Sequence, residues 1–252
     1  MGIGLIVIGT ELLTGKRRDS HFAHTVEALA HRGLALSWCR YVGDSPQAIV
    51  RELRFVMEGD HIAFCCGGIG ATPDDHTRAS AAEAAGVPLV RHARAAAIIE
   101  ERFADSAYPQ RIHMADLPEG CTLIPNPVNQ IAGFSLGELH FVPGFPQMAW
   151  PMMEWVLDNH YPHLRDQEPP AEILLTLPDV SEGQIIGIME DFVARFPQVE
   201  LSCLPHMQGD YRETELGVRG YVGSVHEAIV WLTEALDRGG WGWHERAAPP
   251  AA

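Results

Sequence analysis

The sequence predicts an α/β protein whose mostly parallel sheet is covered by helices on both faces, followed by a small α+β domain. Three observations carry this. From Ile3 to Phe103, apolar runs of strand length alternate with segments of helical periodicity, the pattern of parallel strands joined by crossover helices. The densest glycine turn, Gly67 to Gly70, lies between one such run and the helical segment that follows it. A charged, proline-bearing stretch, Arg165 to Pro170, then separates this pattern from a second complete one.

The elements follow in order. Ile3 to Ile8 reads as a buried strand. Ser20 is placed to cap a helix to Arg32, with Phe22, Val26 and Leu29 on its inner face and Gly33 as its stop. Leu34 to Val42 is strand-like, and Ser45 with Pro46 opens a helix through Met57, apolar at Ile49, Val50, Leu53 and Val56. His61 to Cys66 is the third strand. His76 to Ala85 suits a helix stopped by Gly86, Val87 to Val90 a strand, and Ala93 to Phe103 another helix. Thr122 to Ile124 is a short strand, Phe134 to Val142 a hairpin turned at Gly137, and Pro146 to His160 a helix. Beyond the linker, Glu172 to Leu177, Ser181 to Phe196, Val199 to Leu204, Glu213 to Tyr221 and Val225 to Leu236 read β, α, β, β, α. This divides the chain into a first domain over 1–165, a small α+β domain over 171–238 and a flexible tail over 239–252.

Composition narrows the function. The chain has 252 residues, 46% apolar and 20% charged, which is a globular profile. Five cysteines, with Cys65 and Cys66 adjacent and no C-x-x-C spacing, argue against a disulfide framework or a zinc site and for a reducing cytoplasm. No segment reaches the roughly 18 continuous apolar residues of a membrane span, and the start lacks a basic region, so secretion and membrane insertion are not expected. With 18 Lys plus Arg against 33 Asp plus Glu, the net charge of −15 excludes nucleic-acid binding through a general basic surface. An anionic ligand must be held locally. Lys16, Arg17 and Arg18 form the sole basic cluster.

The sharpest motif runs from Gly67 to Thr77, GGIGATPDDHT, between a strand and a helix. Glycines at the carboxyl end of a strand let backbone N–H groups approach a phosphate while the helix N-terminus faces it. The plainer alternative is a loop with Asp74 and Asp75 as helix caps. Two carboxylates beside a phosphate repel it by an amount comparable to what a helix N-terminus contributes, ~0.3 to 2 kcal/mol. Something positive should sit between them, and Mg²⁺ bridging a carboxylate and the ligand phosphates would serve. Gly9 to Lys16 opens on the same sheet edge but is no P-loop: its glycines are one residue too far apart and Arg17 replaces the Ser or Thr. Gly43 and Asp44 put another acid there. Gly133 to Gly137 matches G-x-S-x-G, yet a strand follows it, so Ser135 belongs to a hairpin and not to a nucleophile elbow. The pairs His21, His24 and His160, His163 lack a third acidic ligand and read as solvated helix residues. Cys65 and Cys66 read as packed at their strand end.

Taken in order, IGTELLTG, YVGD, CCGGIGATPDDHT, PNPVNQIAGF and FVPGFPQM resemble the molybdopterin-binding domain family of the MoaB/Mog type. Within it, the chain is most similar to the amino-terminal domain of competence/damage-inducible protein A (CinA), over residues 1 to 165. The deamidase domain of CinA has no counterpart in these 252 residues. The resemblance implies a three-layer α/β/α domain, a homo-oligomer, and a ligand that is molybdopterin, another phosphorylated pterin or a nucleotide. It assigns ligand binding to Glu11, Gly67, Gly68, Gly70, Thr72, Asp74, Thr77, Asn126, Pro127, Pro143 and Gly144. It assigns activity to Asp44 and Asp75; of the two loop acids, Asp75 is the one expected to hold the Mg²⁺ that the charge argument calls for. The chain departs from the family pattern at Thr10 (usually Asp), Ala71 (usually Pro) and His21 (near a usual Asn).

Three functions compete on this reading. The first is a binding or biosynthetic protein of the molybdenum-cofactor type. The second is a Mg²⁺-dependent pyrophosphatase acting on an ADP-ribose-like or FAD-like nucleotide, against which the loss of the acid at position 10 weighs. The third is a non-catalytic, ligand-gated interaction module.

Overall fold

The structure, a computed structural model, describes residues 2–166, 170–208 and 211–246. The chain forms two compact units, 1–166 and 167–252. Part of the linker, 167–169, lies outside the described residues.

In chain order the first unit contains β1 (Gly2–Ile8), α1 (Thr10–Leu13), α2 (His21–Ala30), β2 (Leu36–Val42), α3 (Pro46–Glu58), β3 (His61–Cys66) and α4 (Thr77–Ala85). After these come β4 (Leu89–Arg91), α5 (Ala93–Phe103), β5 (Asp116–Pro118), β6 (Thr122–Ile124), β7 (Gly133–Leu136), β8 (Leu139–Val142) and α6 (Pro146–His160). Six strands form one sheet in the order β2-β1-β3-β8-β7-β6. The first four run parallel; β7 is antiparallel to both its neighbours, β8 and β6, so β6 runs in the direction of the first four.

Alternation along the strands makes the three layers. Ile6 and Ile8 of β1 join Ala63 and Cys65 of β3 in a core with Ile49, Leu53 and Val56 of α3 and Ile99 of α5. Leu5, Val7, Phe64 and Cys66 point the other way, against Leu29 of α2 and Met152, Met153 and Val156 of α6. Both faces are thus buried, which is why β1 and β3 read as nearly unbroken apolar runs. Cys65 and Cys66 sit on opposite faces, and burial pushes both thiols up, away from the reactive thiolate.

Several details differ from the sequence reading. The inner face of α2 is His21, Thr25, Ala28 and Leu29, while Phe22 is 45% and Val26 42% exposed. The cap is Asp19, not Ser20: its carboxylate accepts from the amides of His21 at 2.9 Å and Phe22 at 3.0 Å. His21 is not solvated but buried, and His24 stacks on Trp150, whereas His160 and His163 are exposed. The run after Gly86 stays out of the main sheet. There β4 pairs antiparallel with β5 in a separate ribbon, with Leu89 and Val90 facing outward.

Ser135 is buried in the β7–β8 hairpin, where its hydroxyl meets Nδ1 of His140 at 2.8 Å. Nε2 of His140 meets the Tyr161 hydroxyl at 2.6 Å, and Tyr161 donates in turn to Glu138. Ser135 and His140 are buried within the sheet, and the chain of hydrogen bonds ends at the exposed carboxylate of Glu138.

The second unit contains β9 (Ala171–Pro178), α7 (Glu182–Arg195), β10 (Glu200–Gln208), β11 (Tyr211–Gly220), α8 (Val222–Arg238) and β12 (His244–Arg246). Its antiparallel sheet has the order β10-β11-β9-β12, and Leu175, Leu177, Leu216 and Val218 pack on Ile185, Phe192, Val225 and Leu232 of the two helices. Ser181 and Gln184 close a capping box at the start of α7. The segment expected as a flexible tail supplies β12, an edge strand on β9 whose Arg246 bonds to the carboxylate of Glu215. Residues 247–252 lie outside the described residues.

Candidate ligand-binding site

The chain order β2-β1-β3 creates a topological switch point between β1 and β3, where successive crossovers leave in opposite directions. The turns after those two strands therefore open side by side. They approach so closely that a Cβ on Gly67 would lie 2.3 Å from the Ile8 carbonyl oxygen, and Gly67 takes φ +111°. Gly68 follows with φ +68°, and Thr77 beneath it donates its hydroxyl to the Gly67 carbonyl at 2.9 Å and its amide to the Gly68 carbonyl at 3.0 Å. These bonds hold the loop against the first turn of α4. Among the described residues, the amides of Gly68, Ile69, Gly70 and Ala71 have no acceptor within the chain. Successive unpaired amides at a strand end form a concave anion nest.

Asp75 does not cap α4. One of its oxygens accepts both the amide of Thr72, at 2.8 Å, and the Thr72 hydroxyl, and the carboxylate occupies the space a Cβ on Gly70 would need. Asp74 is exposed and makes no capping bond either. Across the switch point, Thr10 and Asp44 clasp each other. The Thr10 amide donates to Asp44 Oδ2 at 2.8 Å, and the Asp44 amide donates to Thr10 Oγ1 at 3.0 Å.

A cleft of about 600 Å³ joins these parts. It is lined by Glu11, Asp44, Gly67, Gly68, Gly70, Thr72, Asp74, Asp75, Pro143 and Gly144, together with Asn126. Thr77 lies buried under the loop, and Pro127 stands outside the lining, exposed. Asn126 spends its side chain internally: Oδ1 accepts from the amides of Val128 and Asn129, and Nδ2 donates to the Ile131 carbonyl. His21 supports the far wall by a 3.3 Å bond between Nε2 and the Gly144 carbonyl. Its burial lowers the imidazole pKa, so it stands neutral there.

The sequence reading missed the apolar flank formed by Phe103, Met114, Ile131, Phe145 and Met148, and it missed Arg17. Only Arg17 carried a signal, as part of the one basic cluster. It also missed Arg78, the residue immediately after the strongest motif and only 8% exposed. The Arg78 guanidinium donates to the Gly70 carbonyl at 2.8 Å, to the Asp116 carbonyl at 2.9 Å and to the His113 carbonyl.

Among the described residues no three His, Cys, Asp or Glu side chains come together, so the cleft holds no closed, all-protein metal cage. Asp44 and Asp75 each accept an amide with one oxygen, and one or two carboxylates are what a Mg²⁺ ion carried in with phosphates would use.

A family model described as a probable molybdopterin binding domain matches residues 4–165. The chain belongs to this family. A CinA-like protein of Geobacter sp. (strain M21) is 32% identical over 211 residues, covering 80% of this chain and 50% of the relative. A protein of Pyrobaculum calidifontis is 28% identical over 211 residues, covering 80% of this chain and 79% of its own length. The chain thus spans about half the length of the CinA-like relative. Among solved structures, the protein CinA from Thermoplasma acidophilum, itself of unknown function, aligns with a TM-score of 0.58 at 26% identity. That match covers 63% of this chain and 96% of the other. This molybdopterin-binding-type, CinA-like domain therefore carries the mostly parallel α/β fold expected from the sequence, with the antiparallel second unit added. No helix among the described residues is long and apolar enough to cross a membrane.

Proposed function

We propose that the cleft at the β1/β3 switch point binds a phosphorylated pterin or a nucleotide, in a role connected with molybdenum cofactor biosynthesis. The observation that carries this is the run of unpaired amides from Gly68 to Ala71 facing a cleft with an apolar flank. Phosphate seats on the amides. A planar ring lies along Phe103, Met114, Ile131 and Met148, the mix of apolar wall and few polar groups that small-molecule sites share. The family to which the chain belongs supports the pterin as first choice.

A hydrolytic reading takes its support from Asp44 and Asp75, which line the same cleft. In it Asp44 and Asp75 would hold a Mg²⁺ ion, which would supply charge neutralisation; the chain's part is to orient the diphosphate on the loop. Calorimetric titration with molybdopterin, ADP-ribose, FAD and ATP, with and without Mg²⁺, and assay of phosphate-ester or diphosphate cleavage in parallel, separates the readings. Saturable binding of a pterin or nucleotide, abolished by a bulky residue at Gly68, supports the proposal. Binding that survives that change places the site elsewhere.

A further inference from the structure

The loop that offers amides to an anion also carries two carboxylates, and the cleft adds Glu11 and Asp44 against a single lining cation, Arg17, so its lining is negative by count. An anion site with that lining needs a fixed positive charge close behind the amides. Arg78 is in that place. It opens α4 one residue after Thr77, lies almost wholly buried, and holds the Gly70 carbonyl from below while gripping the carbonyls of His113 and Asp116. Those carbonyls belong to the segment that carries Met114 of the cleft wall. Its Nε has no partner among the described residues, so the guanidinium is not neutralised by a bidentate carboxylate. Asp75 and Asp116 lie within electrostatic reach, and Asp116 is already paired with Arg91 and His113. A buried charge in low dielectric projects further than an exposed one and is screened less by salt.

We propose that Arg78 is the resident counter-cation of the Gly67–Gly70 loop, a positioning residue that lets the cleft bind a phosphate without a divalent ion. By pulling the Gly70 carbonyl inward, it turns the peptide so that the loop amides face the cleft. By offsetting Asp75 from behind, it reduces the repulsion that would otherwise demand Mg²⁺. This rests on the reading of the cleft as an anion site and specifies how that site is charged. Thr10 agrees with it: a carboxylate there would stand against Asp44 and call for a cation, whereas the hydroxyl only accepts the Asp44 amide.

The test is titration of the full chain with inorganic pyrophosphate and with ADP, each in EDTA and in Mg²⁺, for the wild type, Arg78→Met and Arg78→Lys, with thermal unfolding followed alongside. The wild type binds in EDTA within about threefold of its affinity in Mg²⁺, and Arg78→Met loses at least about tenfold in EDTA, as expected for a lost charge-assisted contact. Mg²⁺ then restores part of the loss in Arg78→Met, because an external cation replaces the missing one, and Arg78→Lys keeps most of the affinity. A role in packing alone would produce neither the new Mg²⁺ dependence nor the lysine rescue. Equal losses in the Met and Lys variants, or wild-type affinity in Arg78→Met, overturn the proposal. Wild-type binding seen only with Mg²⁺ also overturns it while leaving the cleft as an anion site, and this comparison decides the matter if the variants do not fold. If neither probe binds in either buffer, the anion-site reading fails with it.

Discussion

Gly68 is where the loop's geometry is most exposed to perturbation, and its replacement by alanine has an effect that follows from the structure. A Cβ there would lie 2.2 Å from Thr77 Oγ1 and 3.3 Å from Thr77 Cβ. The backbone at φ +68° is left-handed, which costs a non-glycine residue about 1 to 2 kcal/mol. Displacing the Thr77 hydroxyl breaks its bond to the Gly67 carbonyl, worth about 0.5 to 1.5 kcal/mol net. Together these give about 1.5 to 3.5 kcal/mol, or about 3 to 14 °C in the unfolding midpoint of a unit this size. The terms separate in a double-mutant cycle. In a Thr77→Ala background the hydroxyl is already gone and the remaining Cβ contact is tight but tolerable, so Gly68→Ala should cost only the backbone term, about 1 to 2 kcal/mol. Urea unfolding of the four proteins measures this, and titration with pyrophosphate reads the accompanying shift of the amides. An identical cost of Gly68→Ala in both backgrounds would show that Thr77 does not press on Gly68, and the account of the loop would fall.

Three further outcomes follow from the same geometry. Asp75→Asn removes a like charge beside the bound anion, so pyrophosphate affinity in EDTA should rise about fivefold, corresponding to about 1 kcal/mol at a partly exposed site; weaker binding with loss of any Mg²⁺ effect would restore the metal bridge. His140, desolvated by burial, has its pKa pushed down to about 3, whereas the unfolded chain takes up the proton near 6.5. The unfolded state therefore binds more protons between those values, so stability is fully present above pH 6.5 and falls toward pH 3 by up to about 4 to 5 kcal/mol. Chemical denaturation from pH 7 to pH 4 should show that slope in the wild type and a shallower one in His140→Gln; parallel slopes would remove His140 as the cause. Finally, the two cores of the first unit use residues only up to Leu164, and the third core begins at Ala171. A chain ending at Asp166 should fold cooperatively and bind pyrophosphate like the full protein, and a molten fragment by circular dichroism and dye binding would refute that division.

The division between what was legible in the sequence and what was not follows sequence separation. Strand, turn and helix around Gly67 to Thr77 are local: glycine at a strand end and a switch from near-continuous apolar residues to helical spacing can be read within a dozen residues. Three layers were legible too, because β1 and β3 must be apolar on both sides to lie between them. Arg78 was not. Its partners His113 and Asp116 lie 35 and 38 residues away, and nothing in DDHTR distinguishes a buried arginine from a solvated one on a helix. The bond from His21 to Gly144 crosses 123 residues and is equally silent in the sequence. The inner face of α2 misled for another reason. Phe22 and Val26 are the large apolar residues, but small Thr25 and Ala28 are what fit against the sheet, so the buried stripe runs beside the one hydrophobicity suggests. Likewise β12 is an exposed, polar three-residue edge strand with no apolar signal to read.

The charge of the whole chain and the charge of the site pull in opposite directions, and the fold reconciles them by position. A surface at −15 repels an anion at long range, yet a Debye length of about 8 Å in physiological salt confines that repulsion to the protein's own neighbourhood. Within the cleft, distance decides. The loop amides line the cleft; Arg78 holds the Gly70 carbonyl behind them; Asp75 accepts the Thr72 amide of its own loop and Asp44 the Thr10 amide of the neighbouring turn. A carboxylate satisfied by N–H donors is a weaker source of repulsion than a free one, because the donor dipoles oppose its field. The acids of the motif therefore shape the two turns as much as they charge them. That dual role explains how four acidic residues can line a cleft whose unpaired amides are set to receive a phosphate.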